Sequence, residues 1–140
     1  MIVQGQPVVD WVAKQMKRGE GYGLSVGIGI QNENQEIIAG VVYNEFNGVN
    51  INAHIAGMGK NWLTREFLFA IFDYPFNKCG VKRISAFIED ENTKAIEFDK
   101  HLGFEYETRL KDAYINGDIL VYVMRRENCR WLKIKRDKYE

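Results

Sequence analysis

The segment Gly57-Met58-Gly59-Lys60-Asn61-Trp62-Leu63-Thr64-Arg65-Glu66 holds the most specific chemistry in this chain. A strand-like alternation runs into it and a strongly apolar helical pattern runs out. The first turn of a helix leaves its backbone N–H groups without intrahelical partners, and the summed peptide dipole adds partial positive charge there. Phosphates bind such ends. Gly57 and Gly59 let the chain turn sharply and let a ligand approach the backbone, and Lys60 sets a cation beside the same amides. The segment reads as an anion cradle, against the plainer reading of a strand-to-helix turn that needs glycine and binds nothing. Just ahead of it stands His54, whose ordinary pKa of about 6.5 suits proton exchange near neutrality. The plainer reading there is a strand histidine that faces solvent or holds a hydrogen bond.

These groups need a strand to carry them in and a helix to receive them. Val49, Ile51, Ala53 and Ile55 alternate with Asn50, Asn52, His54 and Ala56, the period of a half-buried strand. Phe67, Leu68, Ile71 and Phe72 recur at helical spacing, which predicts a helix from about Trp62 to Tyr74-Pro75, since proline disfavours helical geometry in its predecessor. Upstream, Pro7 opens a predicted helix through about Lys17 that Gly19, Gly21 and Gly23 end. Strands follow from Leu24 to Ile30 and from Ile37 to Phe46, joined by the turn Asn32-Glu33-Asn34-Gln35, and Asn47-Gly48 turns the chain into the third. Downstream, Lys82 to Glu89 reads as a strand and Asn92 as the cap of a helix containing Ala95, Ile96, Phe98 and Leu102, stopped by Gly103. Phe104 to Leu110 and Asp118 to Met124 form a closing hairpin around Asn116-Gly117. The order predicts an α+β fold: one mixed, mostly antiparallel, twisted sheet flanked by helices.

At 140 residues the chain is expected to form a single domain, 1–140, with 46% hydrophobic and 13% aromatic residues to fill its core. Nineteen basic residues balance nineteen acidic ones, which argues against a protein built mainly to hold nucleic acid or an anionic membrane. No apolar run is long enough to span a bilayer and no leader is evident at the start. His54, Cys79, His101 and Cys129 show no metal-ligand spacing, and two distant cysteines fit a reducing cytoplasm. Residues 127–140 carry Arg130, Lys133, Lys135, Arg136 and Lys138 with Trp131 and Tyr139, expected as a basic, solvated tail or a last element.

The ordered set from Gly48 to Met124 resembles the GNAT family of acyl-CoA N-acyltransferases. It resembles the branch that includes the ribosomal-protein N-terminal acetyltransferases, whose pyrophosphate loop reads Trp-Gly-Lys-Gly-Tyr-Ala-Thr-Glu, a pattern that Met58-Gly59-Lys60-Asn61-Trp62-Leu63-Thr64-Arg65 follows here. Phe72-Asp73-Tyr74-Pro75-Phe76, Val81-Lys82-Arg83-Ile84, Asn92 and Leu102-Gly103-Phe104 fall in the family's order, and the opening region resembles the abbreviated start of small phage and prophage members. The chain departs from the general loop at Met58, Asn61 and Leu63, where the family has glutamine or arginine, glycine, and glycine or alanine. Phe98 stands at what reads as the position of a tyrosine that protonates the departing thiolate.

The resemblance implies an N-acetyltransferase with acetyl-CoA as co-substrate, no metal, and direct attack of a neutral amine on the thioester. It implies that Gly57, Met58, Gly59, Lys60, Asn61, Trp62, Leu63 and Thr64 hold the pyrophosphate, that an N–H of Ile55 or Ala56 meets the developing oxyanion, and that Asn92 contacts the pantetheine arm or caps its helix. His54 is then the candidate base and Tyr114 a candidate phenolic acid or hydrogen-bond donor near the acceptor, against the plainer reading of a turn tyrosine packed on the surface; Glu89, Asp90 and Glu91 read either as a run that draws in a cationic amine or, more plainly, as a solvated loop. Arg83, Glu107 and Arg109 read as surface pairs. The acceptor is open among aminoglycoside, polyamine, amino acid and protein N-terminus, and a homodimer stays open because acceptor pockets sometimes draw on a partner. The second reading keeps the fold without catalysis, as a CoA-binding or nucleic-acid- or protein-binding module.

Overall fold

Alternating apolar and polar residues build most of one sheet, and the computed structural model, which describes residues 1–133, shows how its strands join. In chain order the elements are β1 (Ile2–Gln4), α1 (Gln6–Gln15), β2 (Ser25–Gln31), β3 (Ile37–Asn44), β4 (Asn50–Gly57), α2 (Arg65–Asp73), β5 (Arg83–Glu89), α3 (Thr93–Leu102), β6 (Glu105–Tyr114) and β7 (Gly117–Arg125). The sheet order is β1-β2-β3-β4-β5-β7-β6. Every neighbouring pair is antiparallel except β4 and β5, which run parallel.

Period-2 alternation sorts side chains onto two faces. On β3, Ala39, Val41 and Tyr43 join the cluster holding Phe67, Leu68, Ile71 and Phe72 of α2 and Leu102 of α3. Val42 points the other way, to Val8, Val9, Val12 and Ala13 of α1 and to Tyr22. So α1 covers one face, and α2 and α3 cover the other. The approach of α1 is close: a Cβ at Gly40 would lie 2.8 Å from Val8 Cγ1 and 2.9 Å from Val12 Cγ2.

Several boundaries differ from the sequence reading. The short β1, paired with β2 from Ile2 opposite Ile30, is too brief to show a period. The first helix stops at Gln15 rather than Lys17, which sits at φ 54°. The helix expected from Trp62 begins at Arg65 instead, because Thr64 is extended (φ −86°, ψ 153°) and its Oγ1 accepts the Phe67 N–H at 3.2 Å. Nor does Pro75 stop it: Tyr74 stays helical and a π-helical turn continues through Tyr74–Lys78, with Cys79 N–H donating to Tyr74 O at 2.9 Å. A proline near the start of that turn has no N–H that the turn requires. As expected, Asn92 caps α3 by accepting the Ala95 N–H at 3.2 Å, and Gly103 ends it at φ 112°.

The edge strand β6 runs four residues past Leu110, through two register shifts and Asp112 at φ 59°, and is exposed almost throughout. Beyond β7, the expected solvated tail is in part docked. Cys129 is buried, Arg130 donates to His101 O at 2.7 Å, and Trp131 Nε1 donates to Leu102 O at 2.8 Å, serving the open carbonyls of α3. Lys135, Arg136, Lys138 and Tyr139 lie outside the described residues. Among those described, no helix is long and apolar enough to cross a membrane.

The Thr64 cap gives a first test. Thr64→Ala should lower stability by about 1 kcal/mol, read as a lower urea midpoint at unchanged slope.

Candidate functional site

β4 stays paired with β3 as far as Gly57, opposite Ala39, but pairs with β5 only through Asn52, opposite Ser85. β5 meanwhile continues beside β7 to Glu89. The two parallel strands therefore part company, and a wedge opens in the sheet at their carboxyl ends. Residues along a strand direct their backbone groups to alternate sides. Met58 N–H donates to Ile38 O at 2.9 Å, so Ala56 and His54, two and four residues back, turn their backbone groups to β3. Ile55 turns its own into the wedge. Of the two oxyanion donors the sequence left open, Ile55 is the one with an N–H on the open side.

The cradle loop leaves the end of β4 at the same place. Leu63 N–H donates to Lys60 O at 3.1 Å, Thr64 N–H to Trp62 O at 2.8 Å, and Phe67 N–H to Thr64 Oγ1. Among the described residues, the N–H groups of Gly59, Lys60, Asn61 and Trp62, and of Arg65 and Glu66 in the first turn of α2, take no such partner. A concentration of open amides beside a lysine can receive an anion. Only Gly59 in the loop adopts positive φ (71°), so Asn61 needs no glycine-like conformation. Leu63 packs its side chain onto the core, away from the loop's outer side. Trp62 is 4% exposed and Nε1 donates to Gly59 O at 2.8 Å, which ties the loop to itself. Its ring lies 5.5 Å from Phe98, so α3 stands beside the loop.

His54 lies on the α1 face of β4, apart from the loop. Its Nε2 is 3.0 Å from Asn44 Oδ1, and its ring is 4.7 Å from that of Tyr22. A carboxamide oxygen only accepts, so Nε2 carries the hydrogen and Nδ1 keeps its lone pair. Burial first, and then the Arg18 guanidinium, lower the pKa to about 4. The unfolded chain takes up this proton near 6.5 and the folded chain near 4, so stability falls as pH drops through that window, by about 3 kcal/mol in all. An NMR titration of His54 should find a neutral ring at pH 7 and a midpoint well below 6. Asn44 and Tyr22 escaped the sequence reading; their one signal was a polar strand end, opposite Asn52 and diagonal to His54, and an aromatic set between Gly21 and Gly23.

Tyr114 is brought to the end of β5, where its hydroxyl donates to Glu91 Oε1 at 2.8 Å, and that bond raises its pKa. A phenol bound to a carboxylate is poorly set to release a proton, which favours orienting over acid chemistry for it. Asp90 is held with Asp118 by Arg109, at 3.4 and 2.8 Å, while Arg83 grips Glu107 through two bonds of 2.8 and 2.6 Å. Asn92 follows directly on this rim. Asn92, Glu91 and Tyr114 thus share the carboxyl end of β5, facing the end of β4 that bears the loop.

Comparison with known proteins bears on this arrangement. The acetyltransferase (GNAT) domain family matches residues 29–119, about two thirds of the chain. No curated protein sequence matches. Among solved structures, a mutant of the spermidine N-acetyltransferase SpeG from Vibrio cholerae is similar with TM-score 0.73 at 14% identity, over 96% of this chain and 97% of that one. A dodecameric structure of spermidine N-acetyltransferase from the same organism gives TM-score 0.70 at 14% identity, over 91% and 94%. An acetyltransferase of the GNAT family from Bacillus anthracis gives 0.60 at 18%, over 72% and 66%. At these identities the structural likeness is one of fold.

Proposed function

The chain belongs to the acetyltransferase (GNAT) family, and from that premise we propose that it moves an acetyl group from acetyl-CoA to a primary amine by direct attack within a ternary complex. The observation that carries this reading is the meeting, at one end of the sheet, of the β4–β5 wedge and the open amides of residues 59–62. The amides, the first turn of α2 and Lys60 would hold the pyrophosphate, with Asn92 beside the pantetheine arm. Ile55 N–H would then meet the oxygen on which charge develops as the amine nitrogen attacks the carbonyl carbon. Positioning of the two substrates supplies much of the rate. The ammonium proton would leave through water, because His54 sits on the α1 face of β4, apart from the cradle, and holds a proton only below about pH 4. The acceptor we read is a small cationic amine, drawn by Glu89 and Glu91 and oriented by the Tyr114 hydroxyl; the similar Vibrio cholerae enzymes are named for spermidine.

Calorimetric titration with acetyl-CoA and with CoA tests this, comparing the intact protein with Gly59→Trp after circular dichroism has checked its fold. A tryptophan at φ 71° strains the turn and fills the mouth of the cradle. The intact protein should bind saturably and the variant at least tenfold more weakly. Folded protein that binds neither compound would overturn the reading.

A further inference from the structure

A cleft of about 440 Å³, open to solvent, lies between the loop that leads into β5 and the chain that leaves β7. It is lined by Gly80, Val81, Lys82, Arg125, Arg126 and Glu127, so three cations stand against one carboxylate in a chain whose formal charge is zero. Backbone bonds hold its two walls together: Lys82 N–H donates to Val49 O at 2.9 Å, and Arg126 N–H donates to Lys82 O at 3.2 Å. The N–H of Gly80, a residue at φ 72°, takes no partner among the described residues. This cleft sits at the amino end of β5. The wedge and the cradle loop belong to its carboxyl end, roughly 20 Å away along a strand of this length.

The cations are not neutralised where they stand. Arg126 is held by neutral acceptors, donating through Nη1 to Phe76 O and through Nη2 to Asn77 Oδ1 at 2.6 Å. Its guanidinium is thereby oriented while its charge stays uncompensated. Arg125 reaches Glu107 Oε1 at 3.5 Å, but that carboxylate already takes bonds of 2.8 and 2.6 Å from Arg83. Lys82 Nζ makes no ion pair or hydrogen bond with any described residue. Crowded cations repel one another until an anion joins them, and an oriented guanidinium matches the oxygens of a phosphate.

We propose that this cleft binds a small ligand carrying two or more linked phosphates, at a site separate from the cradle. Its volume falls in the range of small-molecule sites, about 300–1,000 Å³. The arrangement of the cations favours linked phosphates over a single one. Arg125 is extended (φ −94°, ψ 150°), so it and Arg126 diverge, and Lys82 comes from the opposite wall. Charges spread in this way call for oxygens spread along the ligand. Glu127, the one carboxylate of the lining, leaves a surplus of two positive charges for it. The inference does not depend on the acetyltransferase reading.

Calorimetric titration with inorganic triphosphate tests it, with CoA in excess to keep the cradle filled. The proteins compared are the intact chain, Lys82→Gln, Arg126→Gln and Gly59→Trp, each checked for folding by circular dichroism. Arg125→Gln takes the place of Arg126→Gln should loss of the Phe76 and Asn77 bonds unfold that variant. The intact chain and Gly59→Trp should bind one triphosphate with affinities within about twofold of each other, and the cleft variants at least about tenfold more weakly. The amide resonances of Gly80 and Lys82 should shift on binding, while those of Gly59 and Lys60 stay in place. Absence of binding by the intact chain, or equal affinity in folded cleft variants, would overturn the proposal. So would binding lost only in Gly59→Trp, which would place the triphosphate in the cradle. A single-stranded oligoribonucleotide bound through Lys82 and Arg126 without any binding of triphosphate would overturn the small-ligand assignment in favour of nucleic acid.

Discussion

Gly57→Ala should cost the fold about 3 kcal/mol and weaken acetyl-CoA binding at least tenfold, a large effect for one methyl group. A Cβ at this position would sit 2.3 Å from Trp62 Cε2, 2.4 Å from Cζ2 and 2.5 Å from Nε1. Nothing there yields easily. The indole is held by Gly59 O and packs on Phe67 at 6.0 Å and Phe98 at 5.5 Å. Overpacking of this kind costs about 1–3 kcal/mol, and moving the ring releases the Gly59 bond, which adds about 1 kcal/mol. Because that bond shapes the cradle, the binding loss should accompany the stability loss. Urea unfolding and calorimetry read the two effects. In a Trp62→Leu background the same alanine should cost under about 1 kcal/mol, and an equal cost in both backgrounds would show that the indole is not the obstacle.

The second large effect is a pH slope. Asp99 has an ordinary pKa of 3.8 and a folded value of about 7. The folded chain therefore holds this proton more tightly than the unfolded one, so the stabilisation from protonation is complete below pH 4 and is lost as pH rises to about 7. The loss over that window is about 4 kcal/mol. Asp99→Asn has no charge to bury. Its stability minus that of the intact protein should climb by roughly 1.4 kcal/mol per pH unit between about 4 and 7, then level off. The difference cancels every other titrating group that the two proteins share. A flat difference curve would mean that the carboxyl is well solvated in the folded state.

What the sequence disclosed about these sites follows physical range. Turn chemistry and periodicity are local, so the Asn92 cap, the Gly103 stop and the alternation of β4 were all readable. Gly57 and Gly59 announced a special backbone, but their reasons differ: a left-handed turn at Gly59, and at Gly57 a ring five residues on that only the folded loop brings near. The start of α2 was misplaced because Trp62 continues the apolar pattern, while the Thr64 cap that decides the start is a weaker signal. His54 was visible as a candidate, yet its low pKa depends on Asn44, Tyr22 and Arg18, which are brought to it from distant segments. Asp99 sat in plain view inside an apolar stripe. A carboxylate at the centre of such a stripe is itself a signal, because charge on a core-facing helix position is costly. The wedge had no sequence signature at all, since it arises from two strands ceasing to pair.

The bulged course of β6 has a consequence for how this chain behaves in company. An edge strand ten residues long presents a ladder of unpaired amides and carbonyls, the usual starting point for sheet-to-sheet growth between copies. Here the ladder is interrupted twice, between Tyr106 and Thr108 and between Leu110 and Tyr114, and Glu105, Glu107, Arg109 and Lys111 set charges along it. A second strand laid on that edge would lose register within a few residues and bury charge as it did so. The irregularity that lets the β6–β7 hairpin carry Tyr114 to the rim thereby also guards the chain against assembling into fibres through its most exposed strand.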